Sequence, residues 1–193
     1  MKMDAFNTYM SNIPTDFFKS LCLKYGSAHT YKKGEYISKE GDIFPYWGYI
    51  ESGIIKYTCY NVTEKKEYNT GFSFAGEFMA DYPTCLYNIK SELSIQTLTA
   101  CKIYICHSEW LKEEFERSME NQYIARIVAE QMCFQTYSRY TDFYRLTPEE
   151  RYRQLIKRSP DLLQLISVKE VSSYLRITPT HMSRIRKMVS FDK

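Results

Sequence analysis

The sequence predicts an α+β fold in which an antiparallel β-barrel or sandwich precedes a helical C-terminal half. All seven glycines of the 193-residue chain fall between residues 26 and 76. Short runs rich in Tyr, Ile, Thr and Phe lie between them, which is the pattern of strands joined by frequent turns. Beyond His107 the chain has no glycine, and apolar residues recur at helical spacing instead.

Two elements of the N-terminal half stand out. A short helix is predicted at residues 13–25, with Pro14 near its start. Its apolar positions are Phe17, Phe18, Leu21 and Leu23. The clearest strand is predicted at residues 93–105, because its odd positions form an uncharged face with a period of two. These positions are Leu93, Ile95, Thr97, Thr99, Cys101, Ile103 and Ile105.

Composition narrows the class of protein. The hydrophobic fraction of 44% and the charged fraction of 25% are those of an ordinary globular chain. The sequence has no apolar run long enough for a transmembrane helix, and its first residues lack the apolar core of a signal peptide. We therefore expect a cytoplasmic protein with no membrane partner. The six scattered cysteines are predicted to be small buried hydrophobes rather than disulfides or a metal site.

Positive charge is concentrated at the C-terminal end. From Phe143 onward there are eleven Lys or Arg against five Asp or Glu, whereas the preceding residues hold fifteen against eighteen. The balance is therefore +6 in the last 51 residues and −3 in the rest. A basic end on a mildly acidic body indicates a region that meets a polyanion.

A long helix is predicted over residues 119–142, after a shorter one that opens at Ser108. One of its apolar stripes comprises Tyr123, Ile127, Phe134 and Tyr137, and a neighbouring stripe comprises Ile124, Val128 and Met132. A helix that is apolar over so wide an arc must bury two sides. One side can cover the β-domain, and the other is predicted to pair with a second copy of the chain. The alternative is that both stripes belong to an intramolecular core.

Three capping signals divide the remaining residues into helices. Thr147 is a good N-cap, Pro148 fits the first helical position, and Glu150 completes a capping box. That helix is predicted to end before Pro160. Ser167 is predicted to cap a second helix, and Thr178-Pro179 repeats the cap-then-proline signature for a third.

The last two helices have the outline of a helix-turn-helix. Val171 and Leu175 on the first helix would pack against Met182 and Ile185 on the second, with Ile177 between them. On the exposed face of the second helix, Thr180, His181 and Arg184 are predicted to reach base edges of DNA. Ser183, Arg186 and Lys187 are better placed for phosphates. The alternative is a solvated basic helix.

The order of these features resembles the Crp/Fnr family of bacterial transcription regulators, particularly the short form found in Bacteroidetes. The segments that carry the resemblance are YKKGEYISKEGD (31–42), YIESGIIKYTCYN (49–61), FAGEFMADY (74–82), SIQTLTACKIYIC (94–106) and residues 146–188. The resemblance implies a cyclic-nucleotide-binding-like sensor β-roll, that is, a jelly-roll-like double-stranded β-helix, at residues 1–118. It also implies a dimerisation helix at 119–142 and a helix-turn-helix DNA-binding domain at 143–193.

The same resemblance implies partners and contact positions. The partners would be double-stranded DNA, a second copy of the chain and RNA polymerase. The family's DNA-contacting positions fall at Pro179, Thr180 and Arg184. Two departures favour an alternative, an effector- or protein-binding module whose helix-turn-helix has lost DNA binding. Arg176 stands where the turn usually has Gly, which predicts strain, and no wing is expected after the last helix.

The resemblance does not extend to the residues that bind a cyclic nucleotide in this family. The positions that hold the ribose and phosphate in nucleotide-binding members fall here on Ala80, Asp81, Ser91 and Glu92. Glu92 would repel a phosphate, and the adjacent Lys90 lacks the planar fork of Arg. We therefore expect no cyclic AMP binding, and the sequence does not identify another effector. With no N-terminal group of cysteines, an iron–sulfur cluster is not expected either, nor is any other cofactor.

A cupin-type enzyme is a rival interpretation of the predicted barrel. Such barrels need two or three histidines and a carboxylate around a metal. The chain has only His29, His107 and His181, and the last lies outside the predicted barrel. No nucleophile–base–acid motif is recognisable either. The sequence therefore predicts no catalytic residues and no metal site, with His29 and His107 as ordinary hydrogen-bonded side chains.

Overall fold

A computed structural model describes residues 6–191, with side chains up to residue 189. The chain forms two compact units. Asn12–Gln131 form one, here called the β-unit, and the described residues of Met1–Ser11 and Met132–Lys193 form the other, here called the C-terminal unit. In the described part of the chain, no helix is both long and apolar enough to cross a membrane.

The predicted lead-in helix is confirmed. A 3-10 helix, Thr8–Asn12, precedes helix α1, Thr15–Tyr25. Phe18 and Leu21 are buried as expected, and the ring of Phe18 makes an edge contact with that of Trp47 at 6.1 Å between centroids. Leu23, another of the predicted apolar positions, is exposed, and Cys22 is buried instead.

Eight strands form two four-stranded antiparallel sheets. The first sheet has the order β1-β8-β3-β6 and the second the order β2-β7-β4-β5. The strands are β1 Ser27–Tyr31, β2 Tyr36–Ser38, β3 Tyr46–Ser52, β4 Ile54–Asn61, β5 Lys66–Phe74, β6 Phe78–Ala80, β7 Ser94–Thr97 and β8 Cys101–His107. Strand β1 pairs with β8, β2 with β7, β3 with β6 and β4 with β5. This is the arrangement of a long hairpin rolled into a jelly roll. The predicted α+β fold with an N-terminal β-roll is confirmed.

The prediction of one continuous strand at 93–105 was wrong. The segment forms β7 and β8, which belong to different sheets, with a corner at residues 98–100. The corner is held by the N–H of Leu98, which donates to the carbonyl of Ile54, and by the N–H of Ile54, which donates to Oγ1 of Thr99. Inward positions keep their period of two through the corner, so Ile95, Cys101 and Ile103 all reach the same core. The alternation therefore gave no sign of the break.

The cysteine prediction holds for four of the six thiols. Cys22, Cys85, Cys101 and Cys106 are buried and free, whereas Cys59 is half-buried and Cys133 is exposed. Burial raises the pKa of the Cys85 thiol to about 12 and that of Cys106 to about 11. The buried thiols are therefore protonated at neutral pH and act as small apolar groups.

Seven further helices follow in chain order. They are α2 Thr84–Tyr87, α3 Ser108–Glu116, α4 Met119–Arg145, α5 Pro148–Arg158, α6 Leu162–Leu165, α7 Val168–Tyr174 and α8 Pro179–Phe191. The predicted capping box at Thr147 and Glu150 is present, and Ser167 accepts from the N–H of Glu170 at the start of α7. The short helix α6 was not predicted, because a single turn carries too little periodicity to be recognised.

Candidate functional site

Helices α7 and α8 meet through a small apolar core. Val171, Met182 and Ile185 are completely buried, and Leu175 is 3% exposed. Ile177, in the turn, is only half-buried. The side chain of Thr178 accepts from the N–H of His181 at 3.1 Å, which caps α8 as the sequence predicted. The burial predicted for the helix-turn-helix is therefore confirmed for Val171, Leu175, Met182 and Ile185, whereas Ile177 is less buried than expected.

The turn between the two helices contains the strain expected at Arg176. Its φ is 55°, in the left-handed region that favours glycine. The turn is nevertheless closed by two backbone hydrogen bonds, from Arg176 to the carbonyl of Ser173 and from Ile177 to that of Ser172. These bonds hold the backbone of Arg176 in the left-handed conformation, which costs an L-residue about 1–2 kcal/mol relative to the right-handed one.

Arg151 of α5 fastens the turn from outside, a role that sequence reasoning missed. One terminal nitrogen donates to the carbonyl of Leu146 at 2.8 Å, and the other donates to the carbonyl of Leu175 at 3.2 Å. Its guanidinium also lies over the ring of Phe143, 4.6 Å from the ring centre. Burial lowers the pKa of Arg151 from its usual value. No local sequence signal distinguishes this arginine from its basic neighbours, since the carbonyl of Leu175 in the turn lies 24 positions away in the chain.

The face of α8 opposite the buried stripe is exposed along its length. Every predicted DNA contact is exposed, with Thr180, Ser183, Arg184 and Lys187 on this face and Pro179, His181 and Arg186 toward its sides. Thr180, Arg184 and Lys187 follow one another at spacings of four and three, so they lie on one line along the helix. The structure thus brings the predicted contacts together on one surface.

Two of these side chains also have partners within the C-terminal unit. The hydroxyl of Ser183 donates to the carbonyl of Pro179 at 2.9 Å, so its proton is already in use. Arg186 lies close to Tyr152, whose pKa is raised by burial and lowered in part by the positive charge of Arg186. Arg186 lies four residues after the buried Met182 and therefore at the edge of the packed face.

The long helix α4 exposes three of the four residues in the first of its two predicted apolar stripes, whereas Ile127 is half-buried. Tyr123, Phe134 and Tyr137 are 57%, 71% and 63% exposed, respectively. In the second stripe, Val128 is 9% exposed and is the only buried residue of the helix. The exposed aromatic residues continue to the end of α4, where the rings of Tyr140 and Tyr144 lie 5.0 Å apart.

Two of the candidate effector positions in the β-unit, Ser91 and Asp81, are hydrogen-bonded to each other. The hydroxyl of Ser91 lies 2.6 Å from the carboxylate of Asp81, and both side chains are buried. Ala80 is half-buried, whereas Lys90 and Glu92 are exposed. Nearby, burial raises the pKa of Tyr57 to about 12, and the carboxylates of Glu77 and Asp81 push it in the same direction. The interior next to residue 81 is therefore acidic, and among the described side chains no arginine is hydrogen-bonded to Ser91 or Asp81.

The histidines of the β-unit have local structural partners. His29 shares a hydrogen bond with the hydroxyl of Ser27, at 2.8 Å from Nε2. The Nδ1 atom of His107 accepts from the N–H of Glu109 at 3.2 Å and so caps α3. The residues that the structure describes contain no group of three or more His, Cys, Asp or Glu side chains arranged to hold a metal ion.

Comparison with known proteins identifies the fold. No family model matches the sequence, and no curated protein matches it significantly. Among solved structures, FixK2 from Bradyrhizobium japonicum aligns with a TM-score of 0.70 at 13% identity, over 86% of this chain and 85% of FixK2. CLP from Xanthomonas campestris, described as a c-di-GMP-responsive global regulator, aligns with a TM-score of 0.66 at 17% identity, over 90% of each chain.

A protein from Eubacterium rectale assigned to the Crp/Fnr family of regulators aligns with a TM-score of 0.66 at 14% identity, over 94% of this chain and 88% of that one. The chain therefore has the Crp/Fnr regulator fold, as the sequence resemblance implied. At these identities the comparisons speak to the fold alone.

The strained turn gives a prediction about stability. Replacing Arg176 with Gly removes the left-handed penalty, while the added backbone freedom of glycine in the unfolded chain offsets part of the gain. We expect Arg176→Gly to stabilise the C-terminal unit by about 0.5–1 kcal/mol, measured by urea unfolding followed by circular dichroism. Arg176→Ala is the matched control, because it removes the same charge but keeps the strain. Equal stability of the two variants would contradict the assignment of strain to this residue.

Proposed function

We propose that this protein is a DNA-binding transcriptional regulator of the Crp/Fnr type and not an enzyme. The observation that carries the proposal is the division of α8 into two faces. Met182 and Ile185 are completely buried, while Thr180, Arg184 and Lys187 are all exposed on the other side. The +6 balance of the last 51 residues makes this surface attractive to the phosphates of DNA. A cytoplasmic location is part of the proposal.

Within this proposal the exposed residues of α8 divide by role. Arg184 is the side chain that can form a bidentate pair with guanine, and Thr180 can contact a thymine methyl group. Pro179 and His181 lie at the beginning of the helix, where base edges are within reach. Lys187 contacts phosphate as a flexible cation. Arg186 and Ser183 are secondary phosphate contacts, since both already have partners within the chain.

We also propose that α4 pairs with α4 of a second copy. The exposed stripe from Tyr123 to Tyr144 spans about 32 Å along the helix, at 1.5 Å per residue. A second copy presents the same stripe, so a two-fold axis buries both apolar surfaces against each other. The dimer would place two copies of α8 in successive major grooves, which are on the order of 34 Å apart, and would read an inverted repeat.

The β-unit is proposed to be a sensor-type domain that does not bind cyclic AMP. The supporting observation is that Ser91 and Asp81 bond to each other at the positions that would grip the nucleotide. A cyclic phosphate needs cationic donors, and the groups gathered here are carboxylates and a protonated phenol. RNA polymerase remains a proposed partner of the regulator.

DNA recognition is tested by two substitutions on α8. Arg184→Ala should cost about 1–3 kcal/mol on the preferred site and relax base preference at one position of each half-site. Lys187→Ala should weaken binding to all sequences about equally and lower the salt slope by about 1. Both effects are measured by mobility-shift titration over a salt series, with the exposed Lys157→Ala on α5 as the charge control. An unchanged affinity and sequence preference in Arg184→Ala would refute the assignment of α8. In that case the module without DNA binding would become the better interpretation.

The dimer is tested on the exposed stripe of α4. Phe134→Glu places a carboxylate in the proposed interface and should weaken association by roughly 3 kcal/mol, about a hundredfold in the dissociation constant. Sedimentation velocity at micromolar concentration measures the change from dimer to monomer. Thr136→Glu is the matched control, because Thr136 is exposed on the same helix but lies off the stripe. A wild-type chain that sediments as a monomer rules out this interface.

Cyclic AMP binding is tested by isothermal titration calorimetry. We expect no affinity in the micromolar range for the wild-type chain. Glu92→Gln removes the carboxylate at the phosphate-gripping position but supplies no guanidinium, so it should not create affinity. Micromolar binding by the wild type, or a crystal with the cyclic phosphate seated beside Ser91, would overturn this part of the proposal.

A further inference from the structure

The first described residues of the chain pack inside the C-terminal unit. Phe6 is 4% exposed, and its ring lies 5.4 Å from that of Tyr174, the last residue of α7. The guanidinium groups of Arg139 on α4 and Arg158 on α5 lie 5.1 Å and 5.6 Å, respectively, from the centre of the Phe6 ring. One aromatic side chain therefore contacts three helices that are otherwise separate along the chain.

Polar contacts fix this segment, here called the strap (residues 6–11), along α4. The Oδ1 atom of Asn7 accepts from Arg139 at 3.2 Å and from the amide of Gln135 at 3.4 Å. The hydroxyl of Thr8 donates to the amide oxygen of Gln135 at 3.1 Å. Because Asn7 is itself buried, displacement of the strap would leave an unpaired amide and an unpaired guanidinium in a desolvated place.

Two guanidinium groups of like charge lie close to the Phe6 ring. Arg158 lies close to Tyr174, and the pKa of Arg158 is lowered by burial and by the nearby positive charge of Arg139. Arg139 lies over the Tyr174 ring as well, 5.6 Å from its centre. Aromatic faces attract cations, so Phe6 and Tyr174 offset the repulsion between the two guanidinium groups. Loss of Phe6 removes one of the two faces that make this arrangement favourable.

We propose that the strap is a positioning device for the recognition helix, with Phe6 as its anchor. Tyr174 immediately precedes the turn into α8, so whatever holds Tyr174 against α4 also sets the direction in which α8 begins. The inference rests on the proposed function, in which α4 carries the dimer axis. In the dimer the strap would fix the separation of the two recognition helices, and thereby the spacing of the half-sites.

The other end of the strap leads directly into the β-unit. Residues 12–14 connect it to α1, and the amide of Asn12 donates to Gln131 of α4 at 2.8 Å. The β-unit is therefore inserted between two segments of the C-terminal unit and is joined to it covalently at both ends.

The packing role is tested without DNA, by amide hydrogen exchange of the full chain. We expect Phe6→Ala to accelerate exchange in α7 and in residues 135–145 by roughly tenfold, because the local opening that exposes them becomes easier. Strands β3 and β8 should exchange as in the wild type. Ser11→Ala, an exposed position in the same segment, is the matched control. Unchanged exchange in α7 of Phe6→Ala would overturn the proposal.

The positioning role is tested with inverted repeats whose half-sites are moved apart or together by one base pair. The wild type should prefer one spacing, and Phe6→Ala should lose roughly tenfold affinity at that spacing but less at the shifted ones. Phe6→Leu, which keeps apolar bulk without a π face, should fall between the two. An equal loss at every spacing contradicts the positioning role. If the wild type binds no DNA, the proposed function fails, and the exchange experiment still decides whether the strap holds α7 on α4.

Discussion

The burial of Met182 and Ile185 against the preceding helix is the contact on which the C-terminal unit depends. A helix turns once in about 3.6 residues, so burying this stripe necessarily presents Thr180, Arg184 and Lys187 on the opposite side. The core and the candidate DNA surface are therefore two consequences of one helix orientation. This link explains why a strained residue is retained in the turn: the hydrogen bonds of the turn and the grip of Arg151 on the Leu175 carbonyl outweigh the local penalty.

The long helix α4 poses a different physical problem. Over 27 residues it buries only one side chain, while large aromatic rings remain exposed along one stripe. Isolated exposed aromatics are common on protein surfaces, but a continuous stripe indicates an interaction surface. The position of α4 also matters, because it runs from the β-unit into the C-terminal unit. A partner on this stripe would fix the helix to which the strap and α5 are attached.

Charge separates the two candidate sites. The exposed face of α8 carries basic side chains, whereas the interior near residue 81 holds buried carboxylates and a phenol whose pKa burial raises to about 12. Within the β-unit, the hydrogen bond between Ser91 and Asp81 satisfies groups that would otherwise require a ligand or water. The jelly roll therefore keeps its architecture while the polar side chains of its interior hydrogen-bond to each other.

Local patterns in the sequence determined the fold class, the ends of the main helices and the residues of the helix-turn-helix. These features rest on contacts between near neighbours: the cap at Thr147, the cap at Thr178 and the apolar pairs at spacings of three and four. The sequence could not reveal the corner at residues 98–100, because the alternation of inward side chains continues through it. Periodicity alone did not distinguish a β-barrel from a β-sandwich. The jelly-roll topology was predicted from the resemblance to a family.

Only the tertiary structure decided the contacts between residues far apart in the chain. Phe6 meets Arg139, Arg158 and Tyr174 across more than a hundred positions, and nothing in the first twelve residues predicts a burial site. Arg151 likewise reaches the carbonyl of Leu175 only after α5 packs beside the turn. The physical reason is that helices and strands are predicted from the local spacing of apolar residues. The pairing of a lone ring with distant cations depends on how the helices come together in space.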